Sequence, residues 1–159
     1  MHIELRQRTQ EHVRIWFAQS GRTHMLAGLP RTAQTEEAAL AAFECSLQPG
    51  STSFGRTVYA DGSYVGDVWC YCIHGDEPDA MLSYGIFEKA LWGQGIATKA
   101  VELFLEEVAA RFRLKTVGAF TFADNGASIR VLEKNGFVIK ERFEEDGRAS
   151  CYLELEAKG

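Results

Sequence analysis

The stretch that decides the fold runs from Leu91 to Val101, Leu-Trp-Gly-Gln-Gly-Ile-Ala-Thr-Lys-Ala-Val. Two glycines bracket Gln94, and a helical pattern follows at once. Ala97, Ala100, Val101, Phe104, Leu105, Val108 and Phe112 recur at the spacing of one helix face, to about Arg113. Upstream, AMLSYGIF (residues 80–87) reads as a strand, and downstream KTVGAFTF (115–122) reads as another. A strand, a glycine turn, a long helix and a second strand form a crossover, with parallel strands and a right-handed connection. The first N–H groups of such a helix have no partner within it. They also stand at the positive end of its dipole. Gly93 and Gly95 remove the side chains that would keep a ligand off the backbone. The turn is therefore expected to hold an anion, and a pyrophosphate fits it well. A turn that merely bends the chain is the plainer alternative.

Two familiar phosphate loops do not match. No GxxxxGK[ST] is present, and Thr98 stands where a dinucleotide-binding GxGxxG needs its third glycine. That fingerprint also belongs to the first crossover of a doubly wound sheet, whereas here helices and antiparallel strands come first. HIELRQ (2–7) alternates as a first strand, and Thr9 caps a helix to about Gln19 with Val13, Trp16 and Phe17 inward. TEEAALAAFECSLQ (35–48) is a second helix, capped by Thr35 and ended by Pro49-Gly50. FGRTVYA (54–60) and SYVGDVWCYCI (63–73) form a hairpin across Asp61-Gly62, and GDEPD (75–79) is a turn. After the crossover a short helix runs from about Gly126 to Asn135, with Gly136 at its left-handed end. FVIKERF (137–143) and ASCYLELE (149–156) are strands joined across Glu145-Asp146-Gly147. The order β-α-α-β-β-β-α-β-α-β-β predicts an α+β class, a mixed but mostly antiparallel sheet covered by helices.

The chain of 159 residues is expected to form a single domain, residues 1–159. No apolar run approaches the roughly 18 to 20 residues of a membrane span. MHIELRQRTQEH lacks the apolar centre of a secretory signal, so the expected location is cytoplasmic and no membrane partner is expected. The net charge is −5, with no Lys/Arg run longer than two, which argues against a nucleic-acid partner. An acidic balance fits an amine substrate weakly, and simple solubility is the plainer reading. Cys45, Cys70, Cys72 and Cys151 form no CxxC, so no metal is expected and buried free thiols are. Cys70 and Cys72, two apart in a strand-like run, are expected on one face.

LWGQGIATKAV resembles the acetyl-CoA loop of the GNAT N-acetyltransferase superfamily, [Q/R]-x-x-G-x-[G/A]. Gly95 and Ala97 match its last two defined positions, and Trp92 stands at the Q/R position. WGxGxAT is the variant of the subgroup resembling the ribosomal-protein N-terminal acetyltransferases (RimJ/RimL-like). NGASIRVLEKNGF (125–137) is similar to that subgroup's N-x-x-S-x-x-x-x-E-K-x-G-F. The resemblance implies a GNAT-type sheet of about seven strands flanked by about four helices. It implies acetyl-CoA as cosubstrate and a primary amine as acceptor, a protein N-terminus or a small molecule, in a monomer or homodimer. Transfer is expected by direct attack in a ternary complex, which leaves the cysteines no nucleophilic role.

Placed on this sequence, the resemblance puts the CoA pyrophosphate on the turn formed by Trp92, Gly93, Gln94, Gly95, Ile96, Ala97 and Thr98. The pantetheine arm is expected to pair with the strand edge at Ile86 and Phe87, in a gap where the crossover strands splay. Asn125 is expected to bond the arm or frame its channel. An N–H near Phe87 or Glu88 is the expected oxyanion donor. Many relatives place a thiolate-protonating tyrosine seven residues after the motif asparagine; here that position is Leu132. Ser128 is then the candidate acid, or a first-turn serine bonding local backbone. Tyr84 and Tyr152 are further hydroxyls with a core or rim reading. Glu88, as a proton relay through water, and His74 are the candidate bases. Trp16, His24, Met25 and Leu29 belong to a region the resemblance sets over the acceptor site; composition alone reads them as core. The alternatives are a CoA-binding sensor or scaffold without turnover, and a nucleotide-binding protein using the same turn.

Overall fold

A computed structural model describes residues 1–156. The chain forms β1 (Ile3–Gln7), α1 (Gln10–Ser20), α2 (Thr23–Gly28), α3 (Glu36–Ser46), β2 (Phe54–Ala60), β3 (Ser63–Tyr71) and β4 (Ala80–Ile86). A 3₁₀ turn at Lys89–Leu91 leads into α4 (Ile96–Phe112), followed by β5 (Thr116–Phe122), α5 (Gly126–Lys134), β6 (Val138–Glu145) and β7 (Arg148–Glu156). Seven strands make one sheet in the order β1-β2-β3-β4-β5-β7-β6. Only β4 and β5 pair in parallel; every other neighbouring pair is antiparallel.

Local chemistry sets the element ends. Thr9 accepts from the His12 backbone N–H, while the His12 ring takes the Thr9 backbone N–H at 3.0 Å, a reciprocal cap for α1. The Thr35 hydroxyl accepts from Ala38 N at 3.1 Å and starts α3. Asp61 and Gly62 take φ of 48° and 82°, the left-handed pair that turns a two-residue hairpin. The helix α2 is an addition to the expected order. It is six residues long, has no side-chain cap and buries Met25. A second difference concerns the thiols. β3 ends at Tyr71, and Cys72 turns to a φ of 53°, so Cys70 is buried and Cys72 exposed rather than sharing a face. Cys151 is buried and Cys45 exposed, so two of the four thiols are interior; burial pushes the Cys70 thiol up to about 12.

The core lies between the sheet and α4. Ile96, Ala100, Val101, Phe104 and Val108 form the buried stripe of that helix. They pack on Val58, Val68, Ala80, Leu82, Val117 and Leu153 of the sheet. Full burial of a side chain such as Phe104 is worth about 2 to 3 kcal/mol. Helices α1 and α2 take the opposite face. Trp16 meets Trp69 edge-on at 5.6 Å, and a Cβ on Gly85 would lie 3.1 Å or less from Trp16, Met25 and Leu29. Gly85 thus lets this layer press on β4.

The parallel pair is short. Its register is given by Ala80↔Val117 and Met81↔Gly118 alone, so the rest of β4 and β5 diverge. Asp79 pins the closed end: its carboxylate accepts from Lys115 N at 2.7 Å and Thr116 N at 3.2 Å. Those two N–H groups hold its pKa below the usual carboxylate range. The sheet is therefore clamped at one end of the crossover and open at the other.

Candidate active site

A cavity of about 580 Å³ occupies the open end. One wall is His24, Met25 and Gly28 of α2 with Leu29 just after it; the floor is Tyr84, Gly85 and Ile86 of β4. The turn supplies Leu91, Trp92, Gly93, Gly95, Ile96, Ala97 and Thr98, and the far wall is Asn125, Ala127, Ser128, Arg130, Val131 and Lys134. Of the sequence-selected residues, the fold brings Ile86, Trp92, Gly93, Gly95, Ile96, Ala97, Thr98, Asn125 and Ser128 to one surface. Phe87, Glu88 and Gln94 do not line it. Phe87 is 3% exposed and faces Trp16 and Tyr64. The Gln94 amide turns back toward Ala90 O.

The glycine turn has the character its sequence implies. Gly93 and Gly95 have φ of 82° and 81°, and a Cβ on either would meet nothing within 4 Å. Their backbone is bare toward the cavity at the start of a 17-residue helix. Gly95 is the N-cap of α4 and has no side chain to satisfy the first amides. This is an open cradle that a side chain would fill and an anion can enter. Arg130 and Lys134, four residues apart on α5, add positive charge to the same cavity. Sequence reasoning missed them, although their spacing beyond Asn125 carried the signal.

At the far wall, Asn125 caps α5, its Oδ1 accepting from Ser128 N at 3.1 Å. A Cβ on Gly28 would lie 3.2 Å from Asn125 Nδ2, so α2 reaches across the gap to that side chain. Ser128 and Tyr84 form a hydroxyl pair. Tyr84 Oη lies 2.8 Å from Ser128 Oγ and donates to Ser128 O at 3.1 Å. Burial pushes the Tyr84 phenol up to about 12, so it keeps its proton through neutral pH. Leu132, at the family's tyrosine position, is 1% exposed in the core and presents nothing to the cavity.

The end of β4 is tied down by two side chains. The Trp92 indole N–H donates to Ile86 O at 2.8 Å. His24 Nε2 lies 2.8 Å from Phe87 O, and because a carbonyl can only accept, that nitrogen carries the proton. Nδ1 is then the basic nitrogen of the neutral ring. His24 and Trp92 meet edge-on at 5.5 Å. Phe87 N–H donates to Val65 O at 2.9 Å, so it is not a free oxyanion donor as expected. Amides alternate sides along a strand, so Ile86, whose carbonyl faces Trp92, turns its N–H to the gap as well. No group of three or more His, Cys, Asp or Glu that could hold a metal occurs among the described residues.

Comparison with known proteins agrees with this architecture. Solved structures with the same fold include spermidine N-acetyltransferase from Vibrio cholerae in complex with CoA and spermine. It is 14% identical, with a TM-score of 0.83 over 97% of this chain and 95% of that one. Mycobacterium smegmatis RimJ in complex with CoA-disulfide is 20% identical, with a TM-score of 0.82 over 98% of this chain and 82% of that one. The aminoglycoside acetyltransferase AAC(6')-Ib in complex with ribostamycin and coenzyme A is 15% identical, with a TM-score of 0.81 over 98% and 94%. No curated protein sequence matches the chain significantly. The family model described as an acetyltransferase (GNAT) domain matches residues 2–138. With its glycine cradle opening into a sheet that splits between β4 and β5, the chain belongs to the GNAT acetyltransferase family.

Proposed function

We propose that the protein transfers the acetyl group of acetyl-CoA to a primary amine, by direct attack while both are bound. The observation that carries this is the continuity of the cavity. It joins the bare turn at Gly93 and Gly95 to the Tyr84–Ser128 hydroxyl pair through the gap between β4 and β5. The turn, Arg130 and Lys134 hold the phosphates, and the edge of β4 lines the acyl-pantetheine arm. The N–H of Ile86 is the donor for the developing oxyanion. Ser128, backed by Tyr84, gives a proton to the leaving thiolate. His24 Nδ1 is the base that the cavity wall offers for the ammonium proton, and Glu88 lies off that wall. No covalent enzyme intermediate is needed, and the buried thiols of Cys70 and Cys151 stand apart from the cavity.

The test is acetyl-CoA consumption with a panel of amines that includes small amines, aminoglycosides and peptide N-termini. Turnover of at least one class is expected. Tight CoA binding with no turnover on any of them would replace this reading with a CoA-binding module. Heat protection by ATP or NAD exceeding that by CoA would replace it with a nucleotide-binding one.

A further inference from the structure

A second cavity, of about 570 Å³, lies at the far end of α4 from the glycine turn and shares no lining residue with the first. Its size is that of a small-molecule site. It forms where β1 stops short. The last β1–β2 pair is Gln7↔Arg56, so Phe54 and Gly55 have β3 on one side and no strand on the other. The end of α3, the loop after it and the last turn of α4 close round that free edge.

The charge of this cavity is one-sided. The chain has 22 Asp and Glu against 17 Lys and Arg, yet no carboxylate lines the cavity, while Arg8, Arg56 and Arg111 do. Two of the three are matched from outside the lining. Arg56 Nε lies 3.0 Å from each Glu107 oxygen, and Arg8 Nη2 lies 3.2 Å from Asp67 Oδ2. Arg111 forms no ion pair among the described residues. Its guanidinium stands 4.5 Å from the Phe54 ring centre, and that of Arg56 stands 4.4 Å from the same ring. Arg8 also keeps a spare donor, because its Nε is buried and has no hydrogen-bond partner.

The negative end of α4 calls for one cation in its last turn, and Arg111 supplies it. That does not account for Arg8, which follows β1. An open donor in a cavity wall and a guanidinium without a carboxylate both want an acceptor, and the planar fork of arginine fits a carboxylate. Phe112 and Leu47, the latter 55% exposed, set apolar surface beside the charge. We propose that this cavity binds a small organic carboxylate, with Arg111 as the principal partner of its charged group and its apolar body against Leu47 and Phe112. The site stands apart from acetyl transfer and does not depend on that reading.

The test is calorimetric titration of benzoate, with benzamide as its neutral isostere, into wild type, Arg111→Gln and Arg113→Gln. Excess CoA is present throughout to fill the glycine cradle. Arg113 is exposed and lies two residues on, outside the lining, so its replacement removes the same charge without touching the cavity. Wild type is expected to bind benzoate with a Kd of about 0.1 to 1 mM and benzamide at least about tenfold more weakly. Arg111→Gln is expected to weaken benzoate by about tenfold or more, and Arg113→Gln by less than about threefold. Amide NMR shifts on titration are expected at Ser51, Phe54 and Phe112. Absence of benzoate binding, equal binding of benzamide, equal losses in the two variants, or shift changes centred on the glycine turn would each overturn the site.

Discussion

Replacing Gly95 by leucine separates the two tasks of the glycine turn. Gly95 sits at a φ of 81° with open space around its Cβ, so leucine meets no clash in the free protein. The cost to the fold is the left-handed backbone alone, about 1 to 2 kcal/mol. For a chain of this size that lowers Tm by roughly 2 to 8 °C. The cost to the ligand is different, because the added side chain stands in the cradle. Gly62 is a matched control: its φ is 82°, a Cβ there also meets nothing within 4 Å, and it lies in the β2–β3 hairpin away from the cavity. Both variants should lose similar stability without ligand. At CoA one hundred times its wild-type Kd, wild type and Gly62→Leu should gain about 2.7 kcal/mol of stability. Gly95→Leu should gain almost none. Thermal melts with and without CoA read this directly, with calorimetry for Kd. A normal CoA-induced rise in the Tm of Gly95→Leu would refute the assignment of the turn. A loss of that rise in Gly62→Leu would show that strain, not obstruction, had been measured.

Ser128→Ala should lower kcat by about tenfold or more while leaving the Kd for acetyl-CoA within a few-fold; an unchanged kcat removes it as the acid. Because the Tyr84 phenol is pushed up to about 12, the rate should show no alkaline fall from the hydroxyl pair below about pH 10, and Tyr84→Phe should not create one. Asp79 has a depressed folded pKa, so its stabilising effect is present above the unfolded value of about 4 and is lost as pH falls through the folded one. Asp79→Asn should therefore flatten the decline of Tm below about pH 4; parallel wild-type and variant curves would count against the clamp. Leu132→Ala should cost about 2 to 5 kcal/mol by urea unfolding, because the side chain is 1% exposed. A loss confined to turnover would mean that this position works in the site instead.

Much of the fold was legible because single residues dictated backbone shape. Gly93, Gly95, Asp61-Gly62 and Gly136 occupy positive-φ positions, and Thr9 and Thr35 cap the helices they precede. The cavity wall formed by the turn and α5 was legible for the same reason: both motifs are local. What escaped notice depends on distance or on weak local signals. Helix α2 is too short for a periodicity and has no polar cap. Apolar character continues past Tyr71 to Ile73, and only the left-handed turn at Cys72 ends the strand. The Tyr84–Ser128 pair joins residues 44 apart, and His24 meets a carbonyl 63 residues away. No spacing rule foretells such pairs. The occupation of Phe87 N–H by Val65 follows from which side of β4 faces β3, a matter of register that the strand's own sequence does not encode.

The bonds from Trp92 to Ile86 O, the last carbonyl of β4, and from His24 to Phe87 O just beyond it bear on strand pairing at the split. A sheet that splits open exposes backbone groups on the freed edges, and such edges invite a strand from another chain. Here the indole covers Ile86 O, and the imidazole covers Phe87 O, each at 2.8 Å. A strand pairing with that edge would have to displace the Trp92 bond to Ile86 O before forming its own, so little drives the pairing. Two side chains from different segments thus occupy the last backbone acceptors at the place where the fold must stay open.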